Sequence, residues 1–156
     1  MSQLEIFANS VAECTFCKIA RGDIEVPLVY EDNAVIAFLD HRPLFLGHCL
    51  LIPKEHFETV GDLDTRLIAP VFSGVKLLSK AIELGTGAEG TFVAINNRVS
   101  QSVPHLHVHI VPRKKKDGLK GFFWPRQKFE ADATTHIQEA IRSAVELIKS
   151  EHGLSL

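Results

Sequence analysis

The run His105-Leu106-His107-Val108-His109-Ile110-Val111 constrains this chain more than any other stretch, because three histidines recur every second residue within an otherwise apolar segment. A period of two is that of a pleated strand, which sends alternate side chains to opposite faces. His105, His107 and His109 are therefore expected on one face of a strand spanning 105–111, and Leu106, Val108 and Ile110 on the other, with Pro104 and Pro112 bracketing it. One histidine on an apolar face is usually a satisfied core residue. Three in register have no packing rationale and mark a chemical site.

Two chemistries use such a row. Neutral imidazole is a metal ligand, and histidine also serves as a nucleophile and an acid or base near neutral pH. Elsewhere the chain carries Cys14-Thr15-Phe16-Cys17, a C-x2-C pair, and His56 just beyond the strand-like His48-Cys49-Leu50-Leu51-Ile52-Pro53. Two thiolates need two further ligands to close a tetrahedral zinc site. His56 and one triad histidine would complete it, leaving the other two for catalysis or phosphate contact. A redox role for the C-x2-C is the rival reading, but the βαβ context of thioredoxin-like motifs is missing.

On these residues the chain resembles the histidine triad (HIT) family of nucleotide-handling proteins, defined by His-φ-His-φ-His-φ-φ with φ apolar. The resemblance extends to Cys14–Ile19, Val29–Asp32, Ala37–Asp40, Gly47-His48, Leu51–His56 and Gln101–Val103, covering roughly 14–113. It implies that His107 is the nucleophile, forming a nucleotidyl-histidine intermediate at an α-phosphate, while His109 and His48 contact the phosphate and orient the reacting groups. It also implies that Cys14, Cys17, His56 and His105 hold a structural zinc. Asp40 takes the place of the ribose contact, Phe16, Ile19, Phe38, Leu39 and His41 enclose the base, and Asn97, Gln101 and Ser102 lie on the phosphate-side loop. One departure stands out: relatives carry a glycine-rich Asn-x-Gly-x-x-Ala-Gly segment before the glutamine, and here Asn96-Asn97-Arg98-Val99-Ser100 is shorter and lacks glycine.

Such chemistry is reasonable on general grounds, since an imidazole nitrogen attacks phosphorus readily and splits one displacement into two. Neither an acidic two-metal cluster nor a GxxxxGK[ST] loop is present, so the two common ways of handling nucleotide phosphates are missing; magnesium is not strictly required by this chemistry, and no organic cofactor is expected. The leading expectation is a Hint-like hydrolase or nucleotidyl transferase acting on a purine nucleoside monophosphate that carries a leaving group. A dinucleoside polyphosphate hydrolase comes second, and a zinc-stabilised nucleotide-binding scaffold with little turnover third. The basic and aromatic segment 113–126 reads first as a solvated basic loop followed by an aromatic anchor; the resemblance further implies a homodimer, in which the alternative is that Trp124 or Arg126 reaches towards the partner's site and helps select the leaving group.

With 156 residues, 46% of them hydrophobic, the chain can bury one core without disulfides, and a single domain over 1–156 is expected. Residues 1–13 read as an arm or helix, and 113–156 as a loop and helix. Cys49, the third cysteine, reads as a buried free thiol. A net charge of −2 argues against general nucleic-acid binding. Without a basic segment leading an apolar run, or any run of membrane-spanning length, the expected location is cytoplasmic.

Apolar spacing predicts short strands near 28–30, 35–39, 48–52, 91–96 and 105–111. A helix carries Val71, Val75, Leu78 and Ile82 and stops before Gly85, with Pro70 beginning or kinking it, and a last helix carries the stripe Ile137, Ile141, Ala144 and Ile148, expected to be core. Hairpin-length connections give an α+β fold, a HIT-like antiparallel sheet with helices packed on one face.

Overall fold

The computed structural model describes residues 13–119 and 131–152. They fall into two compact units, 1–117 and 118–156. The first contains a short helix α1 (Thr15–Ala20), strands β1 (Leu28–Glu31), β2 (Val35–Leu39) and β3 (Cys49–Pro53), a long helix α2 (Thr65–Thr86), and strands β4 (Gly90–Ile95) and β5 (Val108–Arg113). The strands form one sheet in the order β1-β2-β3-β5-β4, each neighbouring pair antiparallel. The expected α+β architecture is present.

Strand alternation sorts the core into two layers. Val35, Ala37, Cys49, Leu51, Val108 and Ile110 pack beneath Leu67, Val71, Val75, Leu78 and Ile82 of α2. Ile36, Phe38, Leu50 and Ile52 point the other way and are covered by Cys14, Phe16, Cys17 and Ile19. Gly74 lets α2 approach the sheet, since a Cβ there would sit 2.6 Å from Leu51 Cδ1. α2 begins well before Pro70, at a cap where the Asp64 carboxylate accepts the Arg66 N–H, and it ends on left-handed Gly87. Pro70 lies inside it, and Gly85 is helical rather than a stop.

α1 is too short to be stable alone. Its Phe16 and Ile19 are buried in one cluster with Ile36, Phe38, Leu50 and Ile52 of the sheet. The helix is thus held by what its side chains meet, not by propensity.

The triad strand differs from expectation in extent. Only His109 lies within β5; His105 and His107 sit on its approach, and the strand continues through Pro112. Extending the β3–β5 register beyond Leu51 opposite Val108 would set Pro53 opposite Leu106, and proline has no N–H for a ladder. The backbone bonds elsewhere instead: His105 N–H to Val103 O at 2.8 Å and Leu106 N–H to Phe57 O at 2.6 Å. The alternation survives, with Leu106 in the α2-side layer.

In the second unit the described element is helix α3 (Ala131–His152). On it Ile137, Ile141 and Ile148, expected as core, are 56%, 58% and 50% exposed. Residues 1–12 and the segment carrying Trp124 and Arg126 lie outside the described residues. Among those described, no helix is long and apolar enough to cross a membrane.

Candidate active site

Two adjoining groups of side chains meet at the α1 side of the sheet. In the first, Cys14, Cys17, His56 and His105 bring one ligand atom each to within 4.8 Å of one another. Cys17 Sγ lies 3.3 Å from His56 Nδ1 and 3.5 Å from His105 Nδ1, and Cys14 Sγ is 3.5 Å from His105 Nδ1. A tetrahedral zinc with ordinary bond lengths sets an S···N edge of about 3.6 Å, so the donor set and its spacing fit that ion. His105 Nε2 donates to the Pro53 carbonyl at 2.9 Å, leaving Nδ1 unprotonated towards the sulfurs, the supporting arrangement a ligating histidine requires. Burial lowers the pKa of His56, and that of His105 to about 4, which keeps both neutral. Burial, followed by contact with Cys14, pushes the Cys17 thiol up to about 12, so a nearby cation is what would favour its thiolate.

In the second group the hydrogen bonds define tautomers. The His105 carbonyl can only accept, so His107 Nδ1, 2.7 Å away, carries a proton, and in the neutral ring Nε2 is the nitrogen with the lone pair. Leu44 N–H donates to His48 Nδ1 at 3.2 Å, which puts the His48 proton on Nε2. That nitrogen lies 3.0 Å from His109 Nδ1 and donates to it, so His109 carries its own proton on Nε2. Burial is the main cause lowering the pKa of His48, and that of His109 to about 4, so both are neutral at pH 7. Asp40 joins His48 and His109 in a cluster of ligand-type atoms, but both nitrogens of the His48–His109 contact and His48 Nδ1 are already hydrogen bonded.

A cleft of about 610 Å³ opens over these rings. Phe16, Ile19, Phe38 and Leu39 form its apolar wall, with Asp40, His41, Ser102, His107 and His109 also on its lining. Phe16 packs edge-on against Phe38, His105 and His107, with centroids 5.7, 5.9 and 5.2 Å away. Asp40 accepts the Arg42 N–H at 2.9 Å with one carboxylate oxygen while the other lies 3.6 Å from His48 Nδ1. It is thus both a turn residue and a wall of the cleft. His48 stands behind His109, outside the lining.

Asn97 and Gln101 are also outside the lining. Their side chains tie the loop to a neighbouring segment: Asn97 Oδ1 accepts Val60 N–H at 3.0 Å, and Gln101 donates to Glu58 O while accepting Arg98 N–H. In this glycine-free loop Arg98 and Ser100 adopt left-handed φ of 64° and 61°, a conformation costing about 1–2 kcal/mol per non-glycine residue. The lining also includes Val26, Pro27 and Val103, which carry no pattern that distinguishes them from ordinary apolar loop residues. The Leu44 amide was equally invisible, because every non-proline residue has one.

Imidazoles alternating into an apolar cleft beside a carboxylate make a nucleotide-handling site of histidine-triad type. The chain belongs to the HIT domain family, whose sequence profile matches residues 21–116. It is 36% identical over 134 residues to an adenosine 5′-monophosphoramidase of Schizosaccharomyces pombe, covering 85% of this chain and 98% of that one. It is 39% identical over 109 residues to an adenylylsulfatase of Arabidopsis thaliana, covering 69% of this chain but only 55% of that longer protein. Among solved structures it resembles a zinc-bound histidine triad protein of Mycobacterium smegmatis, with a TM-score of 0.66, 30% identity, and 91% and 99% of the two chains covered.

Proposed function

We propose that the protein is a nucleotide hydrolase or nucleotidyl transferase that cleaves a leaving group from the phosphate of a purine nucleoside monophosphate through a nucleotidyl-His107 intermediate. The observation that carries this reading is the tautomer of His107: its Nδ1 proton is committed to the His105 carbonyl at 2.7 Å, so the nitrogen left over is a lone pair in a ring that lines the cleft. A neutral, oriented nitrogen is what nucleophilic attack needs.

With the base against Phe16 and Phe38 and the ribose near Asp40, His107 Nε2 attacks phosphorus. An N–P bond forms, and the bond to the leaving group breaks with its electron pair departing on that group, which takes up a proton from solvent as it leaves. The imidazole, still protonated on Nδ1, becomes a cation and so a good leaving group in turn. Water then forms the O–P bond of the nucleoside monophosphate, giving up a proton to solvent, and the N–P pair returns to His107. His109 Nε2–H is a donor for the nonbridging oxygens, on which negative charge grows in both transition states. His48 keeps that donor in place through its 3.0 Å bond to His109.

Phosphoramidase-like activity ranks first because the fission-yeast relative, matched over most of both chains, bears that name; the name of the Arabidopsis relative, adenylylsulfatase, points to sulfate as another leaving group to test. Zinc bound by Cys14, Cys17, His56 and His105 would supply a structural cross-link, all four positions being filled by protein. Turnover of AMP amidates, AMP-lysine, adenylyl sulfate and dinucleoside polyphosphates should be compared: preference for amidates supports the leading reading, preference for dinucleoside polyphosphates replaces it, and turnover of none leaves a nucleotide-binding scaffold.

A further inference from the structure

α1 serves two sites at once. Cys14 at its N-terminal boundary and Cys17 within it supply both sulfurs of the Cys/His cluster, while Thr15, Phe16 and Ile19 line the cleft. The two imidazoles of the cluster come from elsewhere: His56 follows β3, and His105 is bonded to the Pro53 carbonyl at the end of β3. Whatever spans sulfurs and imidazoles therefore clamps α1 against the sheet. A helix of six residues does not hold itself together, and Phe16, its main cleft residue, is 6% exposed and touches His105 and His107 as well as Phe38.

We propose that metal in the Cys14/Cys17/His56/His105 cluster and a purine nucleotide in the cleft bind with positive cooperativity, because each requires α1 seated on the sheet, and that Phe16 is the positioning residue that joins them. The proposal rests on the nucleotide reading above. Linkage is reciprocal: if metal raises nucleotide affinity by some factor, nucleotide raises metal affinity by the same factor. A purely global role for the metal gives a different pattern, in which the whole sheet loosens without it and the folded fraction binds nucleotide unchanged.

The full chain loaded with one equivalent of zinc, the same chain stripped with a chelator, and the chain reloaded are titrated with AMP and GMP by calorimetry. Stripping should weaken the better nucleotide by about tenfold or more, and reloading should restore it. Amide exchange should accelerate at Lys18 and Arg21, whose N–H groups bond to the Cys14 and Cys17 carbonyls, while β2 and β3 amides stay protected. Saturating nucleotide should raise zinc affinity, measured by competition with a chromophoric chelator, by the same factor. Phe16→Ala should bind nucleotide more weakly and bring the loaded-to-stripped ratio towards one. Equal nucleotide affinity with and without zinc, loss of protection throughout the sheet on stripping, or failure to take up zinc would each overturn the coupling alone. Failure of the zinc-loaded chain to bind either nucleotide would overturn the nucleotide reading and the coupling with it.

Discussion

The backbone carbonyl of His105 accepts a hydrogen bond from Nδ1 of His107 at 2.7 Å, so one triad histidine determines which nitrogen of the next remains free. The bond exists because 105–107 leave the ladder that Val108 joins. Replacing His107 with asparagine should abolish turnover of an AMP amidate while leaving AMP affinity nearly unchanged. Retention of more than about a tenth of kcat, equivalent to a loss below about 1.4 kcal/mol, would rule out an essential nucleophile.

The His48–His109 contact is oriented from the backbone. Leu44→Pro removes the N–H that bonds to His48 Nδ1 and releases the His48 tautomer, so kcat should fall by about tenfold, the worth of one hydrogen bond. Leu44→Ala keeps that N–H and loses only an exposed side chain, so it should behave as the parent. Equal rates for both variants in steady-state assays would detach the tautomer from catalysis.

Acid should weaken the fold before carboxylates titrate. His109 has its pKa lowered to about 4, chiefly by burial and then by His107 and His48, whereas an unfolded histidine titrates near about 6.5. Between those values the unfolded chain binds more protons, so stability rises with pH and is lost on acidification through that window. The urea midpoint should drop between about pH 7 and pH 5, and His109→Gln should shrink the drop. Identical pH dependence for both proteins would contradict the assignment.

Asp40→Ala should weaken AMP more than 2′-deoxy-AMP, since only the ribonucleotide has both hydroxyls for the carboxylate to accept. Equal losses by calorimetry would leave Asp40 with its turn role, the 2.9 Å bond from Arg42 N–H.

Gly74→Ala places a methyl group 2.6 Å from Leu51 Cδ1, in a fully buried layer. Overpacking there should cost about 1–3 kcal/mol and outweigh the helix-propensity gain of about 1 kcal/mol. Denaturation showing an unchanged or more stable variant would mean that α2 can lift from the sheet at no cost.

What the sequence made legible is what side-chain period and residue chemistry encode. The imidazole and aliphatic faces of 105–110 can be read from alternation alone, and the four cluster residues follow from ligand type together with the family resemblance. Backbone hydrogen bonding is not written in that way. Pro53 removing a donor opposite Leu106 depends on a partner distant in sequence, the Asp64 carboxylate starts α2 ahead of Pro70 through one backbone bond to Arg66, and Arg98 and Ser100 adopt left-handed φ that their residue types do not favour. The same limit explains Asn97 and Gln101, whose amides suit phosphate contact but are engaged with Val60 and Glu58. The α3 stripe has helical period, and period alone does not say what covers a face.

The most direct test of the account is acid- or base-quenched single turnover of an AMP amidate followed by peptide mass spectrometry. The account predicts one adenylyl group on the peptide containing His107, localised to that residue, forming and decaying at rates compatible with kcat and missing in His107→Asn. An adenylyl group on another residue, or turnover at the full rate with no covalent nucleotide at any time, would contradict it.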